Sequence, residues 1–83
     1  EKVILINKDI PEVYYNLGII CLNSKNVKDS INYFDQAVKL KPKFSMAYCN
    51  LGLAYNKIGQ FEKASENYLK AIESDKKKYY CLF

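Results

Sequence analysis

The chain has 83 residues, of which 49% are apolar and 14% aromatic, and its formal net charge is +4. That length allows one compact unit, with little surplus stability unless its faces are covered. No histidine and three widely spaced cysteines, Cys21, Cys49 and Cys81, argue against a zinc site, all the positive charge is lysine, so arginine readout of phosphates or bases is missing, and no apolar run has membrane length.

In chain order, residues 1–10 place Val3, Ile4 and Ile6 as the end of a second helix belonging to a preceding unit. Helices are then predicted over 11–23, 27–40, 45–58 and 61–74. Asn26 and Gln60 mark tight turns, and Lys41-Pro42-Lys43 marks a boundary, since proline cannot continue a helix interior. Residues 79–83 begin a further helix, with Leu82 at the place of Tyr14 and Tyr48. The apolar ends, Val3-Ile-Leu-Ile6 and Tyr79-Tyr-Cys-Leu-Phe83, are expected to continue into a longer array, to self-associate end to end, or to lie under a partner helix.

Tyr14-Tyr-Asn-Leu-Gly18 returns as Tyr48-Cys-Asn-Leu-Gly52, an offset of 34 residues. Ser30, Phe34, Ala37 and Pro42 follow the first copy, and Tyr55, Gly59, Ala64, Tyr68 and Ala71 the second. Period and residue types together resemble the tetratricopeptide repeat. The resemblance implies an all-α fold, a right-handed superhelix of antiparallel helix pairs, with repeats at 11–44 and 45–78 between partial flanks at 1–10 and 79–83. Departures are Cys21 for an aromatic, Ser30 for alanine, Lys25 where the second copy has Gly59, and Lys76 for the closing proline. Glycine inside a helix costs about 1 kcal/mol relative to alanine, so Gly18 and Gly52 predict two helices crossing closely.

Catalytic chemistry has no apparatus in these residues. There is no histidine base, phosphate loop or paired nucleophile, and Asp29, Asp35, Glu62, Glu66, Glu73 and Asp75 are expected on solvated outer faces. No cofactor is implied. The Lys76-Lys-Lys78 run is expected to be a solvated helix terminus complementing the helix dipole. An odd cysteine count without a signal peptide points to reduced thiols and a cytoplasmic or nuclear setting.

Within the family geometry the first helix of each repeat lines an inner groove. That surface would present Glu12, Tyr15, Asn16, Ile19, Leu22 and Asn23, then Met46, Cys49, Asn50, Leu53, Asn56 and Lys57. Asn16 and Asn50 share one repeat position, and successive side-chain amides can bond the backbone of an extended peptide whatever its side chains. Asn56 and Lys57 would set the partner's polarity, and Cys49 is a lesser candidate for thiol chemistry.

The string from Lys43 to Ala64, KFSMAYCNLGLAYNKIGQFEKA, resembles repeats of the nucleocytoplasmic protein O-linked N-acetylglucosamine transferases and Spindly-type relatives. Those enzymes hold substrate polypeptide on an asparagine ladder ahead of a separate catalytic domain, which would make Asn16 and Asn50 the ladder residues here. The alternative is a scaffold or co-chaperone without catalysis. Domains of this fold that grip chaperone carboxylates need lysine and asparagine where Tyr15 and Ile19 stand, lysine where Tyr80 stands, and an arginine that the chain lacks. Either way the expected partner is a protein or extended peptide, with no specific nucleic acid and no membrane.

Overall fold

The computed structural model describes residues 10–74. Four helices follow one another, α1 Pro11–Asn23, α2 Val27–Leu40, α3 Ser45–Lys57 and α4 Phe61–Ser74, with no strand among the described residues. The predicted limits differ at one place: Ile58 caps α3 instead of extending it. The flanks expected at residues 1–10 and 79–83, apart from Ile10, and the Lys76-Lys-Lys78 run lie outside the described residues.

Each helix touches only its near neighbours. α1 packs on α2, α2 on α3 and α3 on α4, with a smaller contact between α1 and α3. α2 and α4 each have one apolar face, whereas α1 and α3 are apolar on more than one side. Pro11 opens α1 at a position where the missing N–H would have no acceptor anyway.

Both intra-repeat turns are the same motif. After α1, Asn26 N donates to Cys21 O at 2.8 Å and Lys25 N to Leu22 O at 3.1 Å; after α3, Gln60 N donates to Tyr55 O at 2.9 Å and Gly59 N to Asn56 O at 3.1 Å. These paired bonds satisfy the last carbonyls of the helix and require one left-handed residue. That residue is Lys25 at φ 66° in the first repeat and Gly59 at φ 81° in the second.

The close crossings expected at the glycines are present. A Cβ on Gly18 would lie 2.6 Å from Phe34 Cε1, and one on Gly52 would lie 2.6 Å from Tyr68 Cε1. No side chain fits there without displacing an aromatic ring, so each ring lies directly on the backbone of its partner helix. Phe34 is fully buried and shares a cluster with Leu22, Leu51 and Ala54, against which Val27, Ile31 and Val38 of α2 pack. Ser30, at the alanine position, is also fully buried. Its hydroxyl donates to Val27 O at 2.6 Å, so the departure leaves no unsatisfied polar group.

The outer faces of the two end helices contrast with this interior. Leu17 and Ile20 of α1 are exposed, although their repeat equivalents Leu51 and Ala54 are buried against α2. Phe61 and Leu69 of α4 are exposed as well. The end-to-end association expected from the sequence falls on residues 3–6 and 79–83, which lie outside the described residues.

The turn geometry predicts one gain in stability. A non-glycine residue in the left-handed region costs about 1–2 kcal/mol, and glycine's extra unfolded-state freedom returns about 0.5–1 kcal/mol of that. Lys25→Gly should therefore stabilise the chain by roughly 0.5–1 kcal/mol, read as a higher urea midpoint at unchanged slope. No increase would mean that the turn is not held as described.

Candidate functional site

The expected groove residues separate into three groups. Asn16, Asn23, Met46, Asn56 and Lys57 are exposed; Tyr15, Ile19, Asn50 and Leu53 are half-buried. Leu22 and Cys49 are core residues, at 9% and 8% exposure. Their assignment to the groove is corrected for a packing reason. Leu22 lies against Phe34 and Leu51, while Cys49 lies against Ala71 of α4 with Tyr48 and Tyr68 around it. Glu12 is turned to the boundary loop, where its carboxylate is 3.7 Å from Lys41 Nζ with both side chains well exposed.

Tyr15 and Asn50 form the junction between the repeats. The Tyr15 ring stands 5.8 Å from Phe34 and 5.1 Å from Phe44, centre to centre, both tilted, an arrangement that suits the ring quadrupoles. Its hydroxyl accepts a hydrogen bond from Asn50 Nδ2 at 3.1 Å. The same amide nitrogen donates to Met46 O, one turn back on α3, at 3.0 Å. An amide has two N–H donors. Both donors of Asn50 are therefore engaged within the chain, and its Oδ1 remains for a ligand. Asn16, at the equivalent position of α1, makes no side-chain hydrogen bond among the described residues and is exposed.

The Tyr15–Asn50 bond, between residues 35 apart, was not anticipated from the sequence. Its only signal was Tyr15 itself, a polar-tipped aromatic where the other copy has Cys49. One cysteine also differs from expectation: Cys21 is free, in line with reduced thiols, whereas Cys49 is disulfide-bonded.

Among the ionisable groups, burial pushes the Asp35 carboxyl above its usual range, opposed by Lys39 and then by Lys70 and Lys63. Asp35 is half-buried and not on a freely solvated face as its position on an outer helix suggested. Tyr55 is raised by burial and further by the Asp35 charge, and Tyr68 by burial. Neither tyrosine ionises near neutrality. Among the described residues no group of three or more His, Cys, Asp or Glu side chains could hold a metal ion, and no helix is long and apolar enough to cross a membrane.

Antiparallel helix pairs repeat with the same glycine–ring crossing and the same turn. A family model described as Tetratricopeptide repeat matches residues 11–44 and 45–78. The chain belongs to the tetratricopeptide repeat family. A solved structure of MamA superposes with a TM-score of 0.87 at 28% identity, over 90% of this chain and 44% of that one. Among curated proteins the chain is similar to Heat shock protein STI1 of Saccharomyces cerevisiae, 33% identical over 89% of this chain and 13% of that protein. It is also similar to the UDP-N-acetylglucosamine--peptide N-acetylglucosaminyltransferase of Giardia intestinalis, 34% identical over 90% of this chain and 5% of that protein. Superkiller protein 3 of Schizosaccharomyces pombe is 36% identical over 80% of this chain and 5% of its own length. The chain thus spans a small fraction of these three relatives. As a tetratricopeptide unit it is a module for protein–protein interaction.

The junction can be measured within the unit. A double-mutant cycle of Tyr15→Phe and Asn50→Ala should give a coupling of about 0.5–1.5 kcal/mol in urea unfolding, the usual range for one intramolecular hydrogen bond. A coupling near zero would remove this bond from the forces that join the repeats.

Proposed function

We propose that the surface formed by α1 and α3 holds an extended polypeptide by its backbone. The observation that supports this reading best is Asn16, an exposed amide that makes no side-chain hydrogen bond among the described residues, at the same repeat position as Asn50. The two amides act unequally. Asn16 offers donors and an acceptor, while Asn50 offers an acceptor and is fixed in place by Tyr15. Ile19, Met46 and Leu53 supply apolar contact beside them, and Asn23, Asn56 and Lys57 a polar rim toward the ends of the first helices.

The context we favour is the substrate-holding array of a protein O-glycosyltransferase. It is supported by the similarity to the Giardia enzyme and by 30% identity over 80% of this chain to the human Protein O-mannosyl-transferase TMTC3. A scaffold without catalysis is the second reading, and the comparable similarity to Heat shock protein STI1 supports it as well. In both, the α1/α3 surface binds protein.

Titration of the chain with an extended Ser/Thr-containing peptide, followed by amide NMR signals, should perturb residues of α1 and α3. Asn16→Ala should weaken binding about five- to tenfold, corresponding to the loss of one hydrogen bond. Replacing the peptide's Ser and Thr by Ala should change affinity less than threefold. Unchanged affinity for Asn16→Ala would remove the ladder reading.

The cytoplasmic or nuclear setting belongs to the same proposal. It rests on the odd cysteine count and is opposed by the disulfide at Cys49, since reducing compartments rarely keep such bonds. Thiol titration of denatured protein purified under acid quench should find three reactive thiols if the setting is reducing. One reactive thiol would overturn that setting.

A further inference from the structure

Tyr14 and Tyr48 occupy the same position of the two repeats, yet their surroundings differ in charge. Lys70 Nζ stands 5.8 Å from the centre of the Tyr48 ring. Lys63 stands 5.6 Å from Tyr55 and Lys41 4.7 Å from Phe44 in the same way. An ammonium over an aromatic face is thus a recurring contact of this chain, favoured by the ring quadrupole. In the first repeat the place of Lys70 is taken by Gln36 and that of Lys63 by Asp29. No lysine lies over Tyr14 among the described residues.

The Tyr14 ring opens instead into a cleft of about 650 Å³ between α1 and α2, lined also by Asp29, Asn32, Tyr33 and Gln36. The four α2 residues are spaced so that they share one face of the helix. Asn26 Nδ2 donates to Asp29 Oδ2 at 2.8 Å, which orients the carboxylate and leaves Oδ1 available. Asp29 makes no ion pair among the described residues, and Lys28, adjacent to it in sequence, does not line the cleft. Formal charge favours a cation here. The lining has one carboxylate and no lysine, whereas the equivalent residues of the second repeat are Lys63, Glu66, Asn67 and Lys70. The chain's overall +4 charge opposes a cation only weakly at physiological salt, where screening acts over about 8 Å.

We propose that this cleft is a binding site for a basic side chain, lysine or arginine, of a partner polypeptide. The cation lies over Tyr14 where Lys70 lies over Tyr48, with Tyr33 as a second aromatic wall. Asp29 Oδ1 accepts a charge-assisted hydrogen bond, and the Asn32 and Gln36 amides complete the shell. The site lies between α1 and α2, apart from the α1/α3 surface, and stands or falls independently of it.

The test uses the 83-residue chain and three blocked amino acids, N-acetyl-lysine N-methylamide and its arginine and norleucine counterparts, titrated against amide NMR signals. The lysine and arginine probes should shift residues 14, 29, 33 and 36, and the norleucine probe should bind at least tenfold more weakly. Gln36→Lys, which installs the lysine of the second repeat, should weaken binding of the lysine probe at least fivefold while the helical circular dichroism is retained. Asp29→Asn should weaken it about threefold or more. The proposal is overturned if norleucine binds as well as lysine, if Gln36→Lys leaves binding intact, or if the shifts fall on Asn16 and Asn50 instead.

Discussion

The contact on which this structure depends is an aromatic ring laid on bare backbone. Gly18 receives Phe34, and Gly52 receives Tyr68, with less space between than one methyl group needs. Because the ring occupies the side-chain layer of its partner helix, the two helices of a repeat approach until little lies between their backbones. The lost helix propensity of each glycine, about 1 kcal/mol against alanine, is offset by burial of a large ring, which is favourable by about 1.5–3 kcal/mol. Everything else in the repeat follows that spacing. The turn is short, so it needs a left-handed residue, and the neighbouring positions are small, as Ala37, Ala64 and Ala71 are.

Between repeats the constraint is different, because α2 meets α3 without a glycine crossing. Here Phe34 and Phe44 hold Tyr15 between them, and Asn50 ties its hydroxyl from the next repeat. The rings contribute apolar contact, and the hydrogen bond satisfies a phenol that would otherwise lose water on one side. The junction joins a residue of α1 to one of α3 through material supplied by α2 and the boundary loop. It therefore restrains the angle between successive helix pairs, on which the shape of the α1/α3 surface depends.

The architecture was readable because repetition reports packing twice. Tyr14 with Tyr48, Leu17 with Leu51 and Gly18 with Gly52 each state the same steric requirement, so their period located helices, turns and crossing points together. Residues whose burial depends on side chains distant in sequence were not readable in the same way. Leu22 and Cys49 lie on first helices at spacings that fit a groove, yet each is drawn inward by side chains distant in sequence. Asn50 looked unexplained by packing, and half of it is explained by a tyrosine in the previous repeat. Asp35 looked solvated and is partly buried, with Lys63 and Lys70 of the second repeat among the charges acting on it.

A repeated backbone places chemically different side chains in sterically equal settings, so one repeat can show what another has left undone. At the asparagine position, among the described residues, the second repeat spends both donors internally and the first spends none. At the tyrosine position the second repeat covers its ring with Lys70 and the first has Gln36 in an open cleft. The first difference follows from the junction, where Asn50 meets a tyrosine of the preceding repeat; the second does not follow from packing, because the helices cross in the same way in both copies. Equal scaffolding with unequal saturation concentrates unsatisfied polar and aromatic groups on the first repeat, on two separate surfaces of α1. Partner recognition by this unit is therefore expected to be asymmetric, with the first repeat supplying most of the direction and the second most of the rigidity.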